Sequence, residues 1–472
     1  MVRPQNFLKD CLYYNQFSVA FCVLYALATG ILLMADYKLG VVIAILPLLA
    51  FVLINDKKNG LYILLAFTSL QEAPFLYYNL LNLPGAKPFN LIAFLTLLVC
   101  LYFNGKFLFQ PGTFRRKVMV YFWIYFAFYS VAALRSINYL HLLHMFEPEK
   151  FEISRISYLF SFYIKPSLYL VSFIYILNHI TSEKDIERII SFLCIILGLI
   201  SILLISITLS HSTMSMSRDN LNILWGDYLG LHYNTLGSFY IVMGPFIIVK
   251  AINKRFWSVI NWCLALVALA ILQSRSSILV FLFANVLMLY FLRKKKELII
   301  LCSIFALITV YYLPGFLINT FKIGLESGNL DRIFTGRIDN IWIPLLTEWF
   351  ANIKLLLFGR GLFSMMTSQA YLKGVVLQTS VAHNAFIEFF LDNGIILFLI
   401  MIFYIFKLLK LAWYNVKAIN SDVGWALFVS IICYFIGTIS GRSIYPTPQN
   451  MFLFPIIALM VNYLRCKNEA FN

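Results

Sequence analysis

Long apolar stretches recur along the whole chain and are separated by short polar connections. A membrane-spanning helix needs about 17–25 mostly apolar residues, and most of the stretches approach that length. The third stretch is short, so it predicts either a full span or a half-helix. The pattern predicts about 14 transmembrane helices, within a range of 12 to 14, over residues 17–34, 39–54, 61–70, 89–103, 118–134, 162–177, 189–209, 234–249, 257–272, 276–291, 298–318, 384–406, 424–441 and 451–464.

The composition agrees with a chain that uses lipid as its solvent. Hydrophobic residues make up 61% of the 472 residues and charged residues only 12%, and the mean hydropathy is +0.83. A soluble domain is usually less than half apolar and about a quarter charged. We therefore expect an all-α polytopic membrane protein in which residues 1–472 form a single transmembrane helical domain. No small-residue cleavage site follows the first stretch, which predicts a retained helix rather than a removed signal.

The charge distribution predicts the topology. A net charge of +16 would suggest nucleic acid as the partner of a soluble protein. Here 22 of the 37 lysines and arginines fall on one side when the chain starts inside and crosses alternately. Because basic residues mark the cytoplasmic side, the pattern predicts that the N- and C-termini are cytoplasmic. The basic residues are then explained by the topology, so we expect contact with membrane lipid and no nucleic-acid partner. The eight cysteines lie in or beside apolar stretches without CxxC or Cys/His spacing, so we expect no disulfide framework, no metal and no cofactor.

One connection is much longer than the others, residues 319–383, and the topology places it outside. Such a long segment in a compact protein is usually functional. After Arg337 the apolar residues recur at helical spacing, which predicts a short helix along the membrane surface. Arg337 and Arg275, which lies in a tight turn between two predicted spans, carry the planar cation that binds phosphate in two places. We expect this pair to bind a lipid pyrophosphate and to stabilise its charge as it leaves.

His383 stands at the start of a predicted helix, where the positive end of the helix dipole disfavours the imidazolium form. A neutral imidazole is what a general base needs, so we predict His383 as the catalytic residue that takes a proton from a sugar hydroxyl. Glu388 and Asp392 lie four residues apart on the following helix, on a different face from His383, and we do not expect them to act with it. Weaker candidates for the site are Arg155, Lys165, Arg218, Asn234, Arg360 and Arg442.

Each of these residues also has a purely structural interpretation. An arginine at the end of a span often extends to the lipid headgroups. A histidine before a helix often caps it, and acidic residues within a span often pair with neighbouring helices. The sequence therefore supports the site through the combination of residues rather than through any one of them.

Short motifs in the second half of the chain resemble those of the O-antigen ligase and polymerase superfamily. Their order, spacing and predicted placement on the outer face match the family over roughly residues 230–400. The motifs are His232-Tyr233-Asn234, Gln273-Ser274-Arg275-Ser276-Ser277, Thr335-Gly336-Arg337 before Trp342, Phe358-Gly359-Arg360-Gly361, His383-Asn384 and Asp392-Asn393-Gly394.

The resemblance implies a GT-C-like fold in the bacterial inner membrane, with a large periplasmic loop that contains short helices. It also implies an inverting, metal-independent glycosyltransferase that takes a glycan from undecaprenyl diphosphate on the outer side. Carried over to the matching positions, Arg275 and Arg337 bind the donor pyrophosphate and His383 acts near the acceptor hydroxyl. Arg360 occupies the variable position between the two glycines of Gly359-Arg360-Gly361, where it is either another phosphate contact or a charge at the rim of the site.

Two classes of function compete. The leading hypothesis is a polymerase that joins lipid-linked O-antigen or polysaccharide repeat units, with a chain-length regulator among its partners. An O-antigen ligase with lipid A core as acceptor comes second, and a transferase of glycan to protein third. The other class is a polysaccharide or lipid transporter (flippase). Transporter folds commonly contain inverted repeats and broken helices near the middle of the membrane. We find no repeat in this sequence, and its polar residues concentrate at the predicted outer face.

Overall fold

The fold is given by a computed structural model, which describes residues 57–70, 87–104, 113–210, 218–230, 232–253, 256–293, 337–376, 381–441 and 443–471. The predicted spans 17–34, 39–54 and 298–318 lie outside the described residues, as do residues 319–336 of the long connection. Every regular element within the described ranges is a helix.

We number the main helices in chain order. They are α1 Lys57–Leu70, α2 Pro88–Asn104, α3 Thr113–Ser136, α4 Leu140–Phe146, α5 Arg155–His179, α6 Glu183–Ser210, α7 Arg218–Leu229, α8 Tyr233–Ile252, α9 Phe256–Leu272, α10 Arg275–Leu292, α11 Ile343–Ala351, α12 Ile353–Phe358, α13 Gln369–Leu372, α14 Ala385–Ile419, α15 Asp422–Thr438 and α16 Leu453–Phe471. Short turns of 3-10 or π type join or interrupt them, including a π turn at Ile338–Trp342 before α11.

Five helices are long and apolar enough to cross a membrane, namely Arg116–Phe146, α5, α6, α8 and α14, and shorter apolar helices accompany them. The prediction of an all-α integral membrane protein is therefore confirmed. The number of spans and the outer placement of the long connection stay predictions.

The apolar pattern of the sequence predicts the ends of two helices to within one residue. The expected spans 257–272 and 276–291 correspond to α9 and α10, which begin and end within one residue of them. α14 instead continues to Ile419, well past the expected end at residue 406. Lysines on its last turns interrupt the apolar run there without interrupting the helix, since lysine has a high helix propensity.

α8 lies at the centre of the largest bundle, and nearly all of its side chains are buried. It packs against α9, α10 and α15. Gly244 permits a close approach to α10, because a Cβ at this position would lie 2.7 Å from the ring of the fully buried Phe281. The helix begins after His232, its N-cap residue. The packing of this central helix therefore fixes where His232 stands.

The helix that follows Arg337 buries the apolar stripe that the sequence predicts. Ile341, Leu345 and Trp349 are each at most 1% exposed. The indole N–H of Trp349 donates to the carbonyl oxygen of Leu391 in α14 at 3.1 Å. The stripe thus packs with residues of α14, and the placement of this helix along the membrane surface stays a prediction.

α14 changes direction at Gly394, which has φ +79° and ψ 173°. This backbone conformation is nearly restricted to glycine. The carbonyl oxygens of Leu391 and Asp392, just before the bend, accept hydrogen bonds from the backbone N–H groups of Arg360 and Gly361 at 3.1 and 2.9 Å. The segment after α12 therefore supplies the hydrogen bonds that the bend would otherwise leave unmade.

Two glycines let that segment approach so closely. A Cβ on Gly359 would lie 2.4 Å from the backbone of Asp392, and one on Gly361 would lie 2.5 Å from the backbone nitrogen of Ser136 in α3. The next amide, of Leu362, donates to Ala132 of α3 at 3.1 Å. The Gly-x-Gly motif thus holds α3 and the bend of α14 together, and we call it the glycine clamp.

Candidate active site around His383

His383 is held between two anchored neighbours. The indole N–H of Trp342 donates to the carbonyl oxygen of Ala382 at 2.8 Å. On the other side, Asn384 is the N-cap of α14, and its Oδ1 accepts from the N–H groups of Phe386 and Ile387 at 3.0 and 3.2 Å. His383 itself has φ +55°, a left-handed conformation that costs a residue with a side chain about 1–2 kcal/mol. Both anchors oppose relaxation of that strain, so the imidazole is placed by the surrounding packing.

The electrostatic surroundings keep this imidazole neutral. Burial lowers the pKa of His383 to about 4, and the positive charges of Arg337 and of a protonated His232 act in the same direction. At neutral pH the ring is therefore uncharged and has one nitrogen free to accept a proton. This agrees with the expected general base, although burial and the neighbouring Arg337, rather than the helix dipole alone, account for the neutral form.

Arg337 joins His383 from the start of the helical segment before α11. It is half-buried, and its Nη1 lies 3.4 Å from the carbonyl oxygen of Ser440 at the end of α15. The adjacent Gly441 faces His383, since a Cβ there would lie 3.5 Å from Nδ1 of the ring. Three segments far apart in sequence thus meet at this point, as the prediction for Arg337 and His383 requires.

The loop between α15 and α16 forms a rigid wall beside His383. Asn450 holds it through its Nδ2, which donates to the carbonyl oxygens of Ile444, at 3.2 Å, and of Tyr445. The hydroxyl of Tyr434 donates to Ser443 at 2.7 Å, and that of Tyr125 to Ile444 at 3.0 Å. Side chains of α3 and α15 therefore fix this loop from behind.

A cavity of about 350 Å³ opens beside His383. Aromatic residues, three prolines and several polar side chains line it, and the two acidic residues among them are Glu388 and Asp392 of α14. Asp392 is 1% exposed, and its Oδ1 accepts from the hydroxyl and the N–H of Ser364 at 2.5 and 3.2 Å. Its Oδ2 is buried and has no hydrogen-bond partner within the described ranges.

Glu388 and Asp392, which we did not expect to act with His383, line the same cavity as the histidine. A helical projection treats His383 as part of the helix. His383 instead precedes the N-cap in a left-handed conformation, so its side chain does not follow the helical rotation. Glu388 and Asp392 do share one face, as their spacing of four residues predicts.

Arg360 does not reach the cavity. Its Nη1 lies 3.3 Å from Oε1 of Glu348 and donates to the carbonyl oxygen of Thr367 at 2.5 Å. Both charged side chains are 14% exposed, and the Glu348 carboxylate also accepts from the N–H groups of Gln369 and Ala370 at 2.9 Å. Arg360 therefore links the glycine clamp to the start of α13. In this structure its guanidinium group pairs with Glu348 and does not lie at the cavity, where a phosphate contact or a rim charge was expected.

The remaining predicted residues fall in different places. Arg155 is exposed at the start of α5, and Lys165 lies in α5 beside Pro166, which lines the cavity. Asn234 is in the first turn of α8, where its N–H donates to Nδ1 of His232 at 3.2 Å. Arg275 and Arg218 begin α10 and α7, but their side chains, like the whole of Arg442, lie outside the described part of the chain. Their roles stay predictions.

Sequence reasoning did not single out His232 as a site residue, although it belongs to one of the family-like motifs. The structure places it close enough to His383 for the two rings to interact electrostatically, and Thr235 at the start of α8 lines the cavity. Across the described residues, no group of three or more His, Cys, Asp or Glu side chains is arranged to hold a metal ion. Metal independence stays a prediction.

The comparison with known proteins covers the same part of the chain. The family model described as O-antigen ligase matches residues 260–402, a range that contains α10, the glycine clamp, Arg337, His383 and both acidic residues. No curated protein matches the chain. The matched segment includes most of the motifs that resemble the family and six of the 17 residues that line the cavity. Residues 260–402 are thus similar to the O-antigen ligase family, and the match supports a relation of this chain to glycosyltransferase-type membrane enzymes of the O-antigen ligase and polymerase superfamily.

Proposed function

We propose that this protein transfers a glycan from an undecaprenyl-diphosphate donor to a sugar hydroxyl at the outer face of the inner membrane. The observation that carries the proposal is the meeting of Arg337 and a neutral His383 beside the cavity, inside the segment that matches the O-antigen ligase family. A cation for the leaving group and a base for the attacking group then stand next to each other.

The chemistry follows from those two groups. The acceptor oxygen attacks the anomeric carbon from the face opposite the diphosphate, so the new C–O bond forms as the bond to the diphosphate oxygen breaks, with inversion at carbon. The acceptor proton passes to the imidazole of His383. The diphosphate leaves as an anion that already carries charge, and it needs a cation such as Arg337 rather than a protonating acid. Arg275 is proposed as the second cation on the basis of the family motif.

Donor binding strengthens the base. The pKa of His383 in the free protein is about 4, partly because of Arg337 and His232. A bound diphosphate places negative charge among these cations, and nearby negative charge raises the pKa of an imidazole. The imidazole thus becomes a better proton acceptor when the donor is in place.

The proposed reaction is polymerisation of lipid-linked repeat units, and the ligase reaction with lipid A core as acceptor is the alternative. The alternative has specific support, because the matching family model is described as O-antigen ligase. Both reactions use the same donor, the same leaving group and the same base. They differ only in the acceptor that enters the cavity.

The test is glycan transfer by purified protein in proteoliposomes. The substrate is the undecaprenyl-diphosphate repeat unit from the host of this protein, supplied alone and then with lipid A core, and products are separated as a ladder on a gel. A ladder from the repeat unit alone supports the polymerase, whereas a product that requires lipid A core supports the ligase. Absence of both products, together with absence of donor binding, contradicts the proposal and favours the transporter hypothesis.

Matched variants test the roles of the two residues. His383→Ala and Arg337→Ala are expected to lower transfer by at least about 100-fold, the usual contribution of a general base or of a charged group at the leaving atom. Arg337→Lys keeps the charge without the planar fork and is expected to retain more activity than the alanine variant. Arg116→Ala removes an exposed arginine that does not line the cavity and serves as the control. Full activity in the first two variants contradicts the site assignment while leaving the reaction itself in place.

A further inference from the structure

The acidic pair of α14 has no role in the proposed chemistry, yet the structure places it in the cavity beside the base. Asp392 has one carboxyl oxygen bound to Ser364, and its carboxyl group also interacts with the hydroxyl of Tyr445. Its second oxygen is buried and makes no close hydrogen bond in the described part of the chain. Leaving a buried polar atom unpaired costs about 1–3 kcal/mol, and native proteins rarely tolerate it without a reason. Glu388, one turn earlier, faces the same cavity.

The groups around this pair include both apolar aromatic rings and a hydrogen-bonding phenol. The rings of Tyr129, Phe162, Phe363 and Tyr445 line the cavity, and they provide flat apolar surfaces. The pKa of Tyr445 is raised well above its ordinary value by burial and by the acidic pair. Its phenol therefore keeps its proton, and its oxygen accepts a hydrogen bond from Nδ2 of Asn393 at 2.5 Å.

Charge divides the site into two halves. Among the described residues that line the cavity there is no lysine or arginine, whereas Arg337 is close enough to His383 to lower its pKa. A diphosphate is disfavoured beside two carboxyl groups and favoured beside arginine. A sugar ring has the opposite preference, because its hydroxyls donate to carboxyl oxygens and its C–H face packs on aromatic rings.

We propose that Glu388 and Asp392 form the binding site for the acceptor sugar, a neutral ring whose adjacent hydroxyls donate to the two carboxyl groups. The aromatic rings contact the apolar face of the sugar, and the attacking hydroxyl is directed to His383. This inference rests on the proposed function, and it assigns to the carboxyl pair the acceptor specificity that the cationic residues do not provide. The pair binds the acceptor and takes no part in proton transfer.

Steady-state kinetics tests the assignment. Glu388→Gln and Asp392→Asn keep the side-chain shape but turn one acceptor oxygen into a donor. Each is expected to raise the KM for the acceptor by about three- to tenfold, the equivalent of one lost hydrogen bond at about 0.5–1.5 kcal/mol. The KM for the undecaprenyl-diphosphate donor is expected to stay within twofold. Glu152→Gln, which changes an exposed acidic residue outside the cavity, is the matched control.

Chemical labelling gives a second measurement that does not depend on turnover. Proteoliposomes are treated with a carbodiimide and glycinamide, and labelling of Glu388 and Asp392 is measured by mass spectrometry. The lipid-free repeat-unit oligosaccharide is expected to protect the pair, and inorganic pyrophosphate is not. A protected pair together with an increased acceptor KM supports the proposal. Protection by pyrophosphate, or by a simple amine or divalent cation at the same concentration, overturns it.

The failures of the two proposals are distinguishable. If the wild-type protein forms product while both variants keep the wild-type acceptor KM, the acceptor site is wrong and the transferase stands. If the wild-type protein forms no product from any acceptor, the proposed function is wrong, and the labelling experiment still decides whether the pair binds sugar. A variant that does not fold loses donor binding as well, and Glu388→Gln, which disturbs no hydrogen bond of Ser364, then decides the outcome.

Discussion

Replacing Gly394 by alanine is expected to lower stability and transfer activity together. The residue has φ +79° and ψ 173°, a region that costs a residue with a side chain about 1–3 kcal/mol. The added Cβ would lie 2.4 Å from the backbone carbon and oxygen of Leu357. Since real Cβ contacts stay beyond 3.0 Å, the backbone has to move by about 0.6 Å or more, and overpacking of this kind costs about 1–3 kcal/mol. The expected total loss is about 2–6 kcal/mol.

The site is expected to suffer because the bend of α14 positions the residues that precede it. A shift at Leu357 moves the glycine clamp, whose amides hold the carbonyl oxygens of Leu391 and Asp392. The free energy of unfolding is measured by titration with SDS in mixed micelles, with tryptophan fluorescence as the signal, and transfer is measured in proteoliposomes.

Two other glycines provide the controls for this substitution. Gly374 has φ +69°, and no neighbouring atom lies within 4 Å of the place that a Cβ would occupy, so alanine there costs only the backbone strain of about 1–2 kcal/mol. Gly226 lies within helix α7 with equally open surroundings, so alanine there is expected to stabilise the protein by about 0.5–1 kcal/mol. If Gly394→Ala loses no more stability than Gly374→Ala, the contact between the clamp and the bend does not carry the energy assigned to it.

Two further predictions concern His383 and Arg360. The pKa of His383 in the free protein is about 4 and the neutral form is the base, so kcat/KM is expected to fall only as the pH approaches 4. The bound diphosphate raises that pKa, so kcat is expected to fall at a higher pH. Acid limbs of the two pH profiles that coincide near pH 6.5 would contradict this. Arg360→Ala is expected to reduce the free energy of unfolding by about 2–4 kcal/mol, since it removes hydrogen bonds of a charged group and leaves Glu348 without its cation. The KM for the donor is expected to stay within twofold. A large rise in the donor KM with unchanged stability would instead indicate that Arg360 contacts phosphate.

The sequence predicts the helices well because a lipid environment imposes a simple rule. Apolar residues have to cover a helix over roughly the thickness of the membrane, and the ends of α9 and α10 follow that rule closely. The bend at Gly394 is not predictable in this way, since hydropathy does not report a change of direction. An isolated glycine within an apolar helix is a weak signal, and only the close approach of the segment around Gly359 explains it.

The sequence predicts those site residues that carry a permanent charge or belong to a family motif. It does not predict those whose position depends on tertiary contacts. Arg337 and His383 come together as expected. Arg360 looks equivalent to Arg337 in sequence, but Glu348 neutralises it, and no spacing rule predicts a partner twelve residues away across two short helices. The place of the acidic pair beside His383 is not predictable, because the left-handed conformation of the histidine is not visible in a helical projection.

The arrangement of charge also explains why these groups occupy one site. If Arg337 and His232 acted alone, they would keep His383 neutral but make it too weak a base for efficient proton transfer at neutral pH. If the acidic pair stood among the cations, it would form ion pairs with them and occupy the place of the diphosphate. With His383 between the two halves, the donor brings the negative charge that strengthens the base, and the acidic pair stays available to the acceptor. The base is then stronger when the donor is bound, at the moment when the acceptor hydroxyl has to lose its proton.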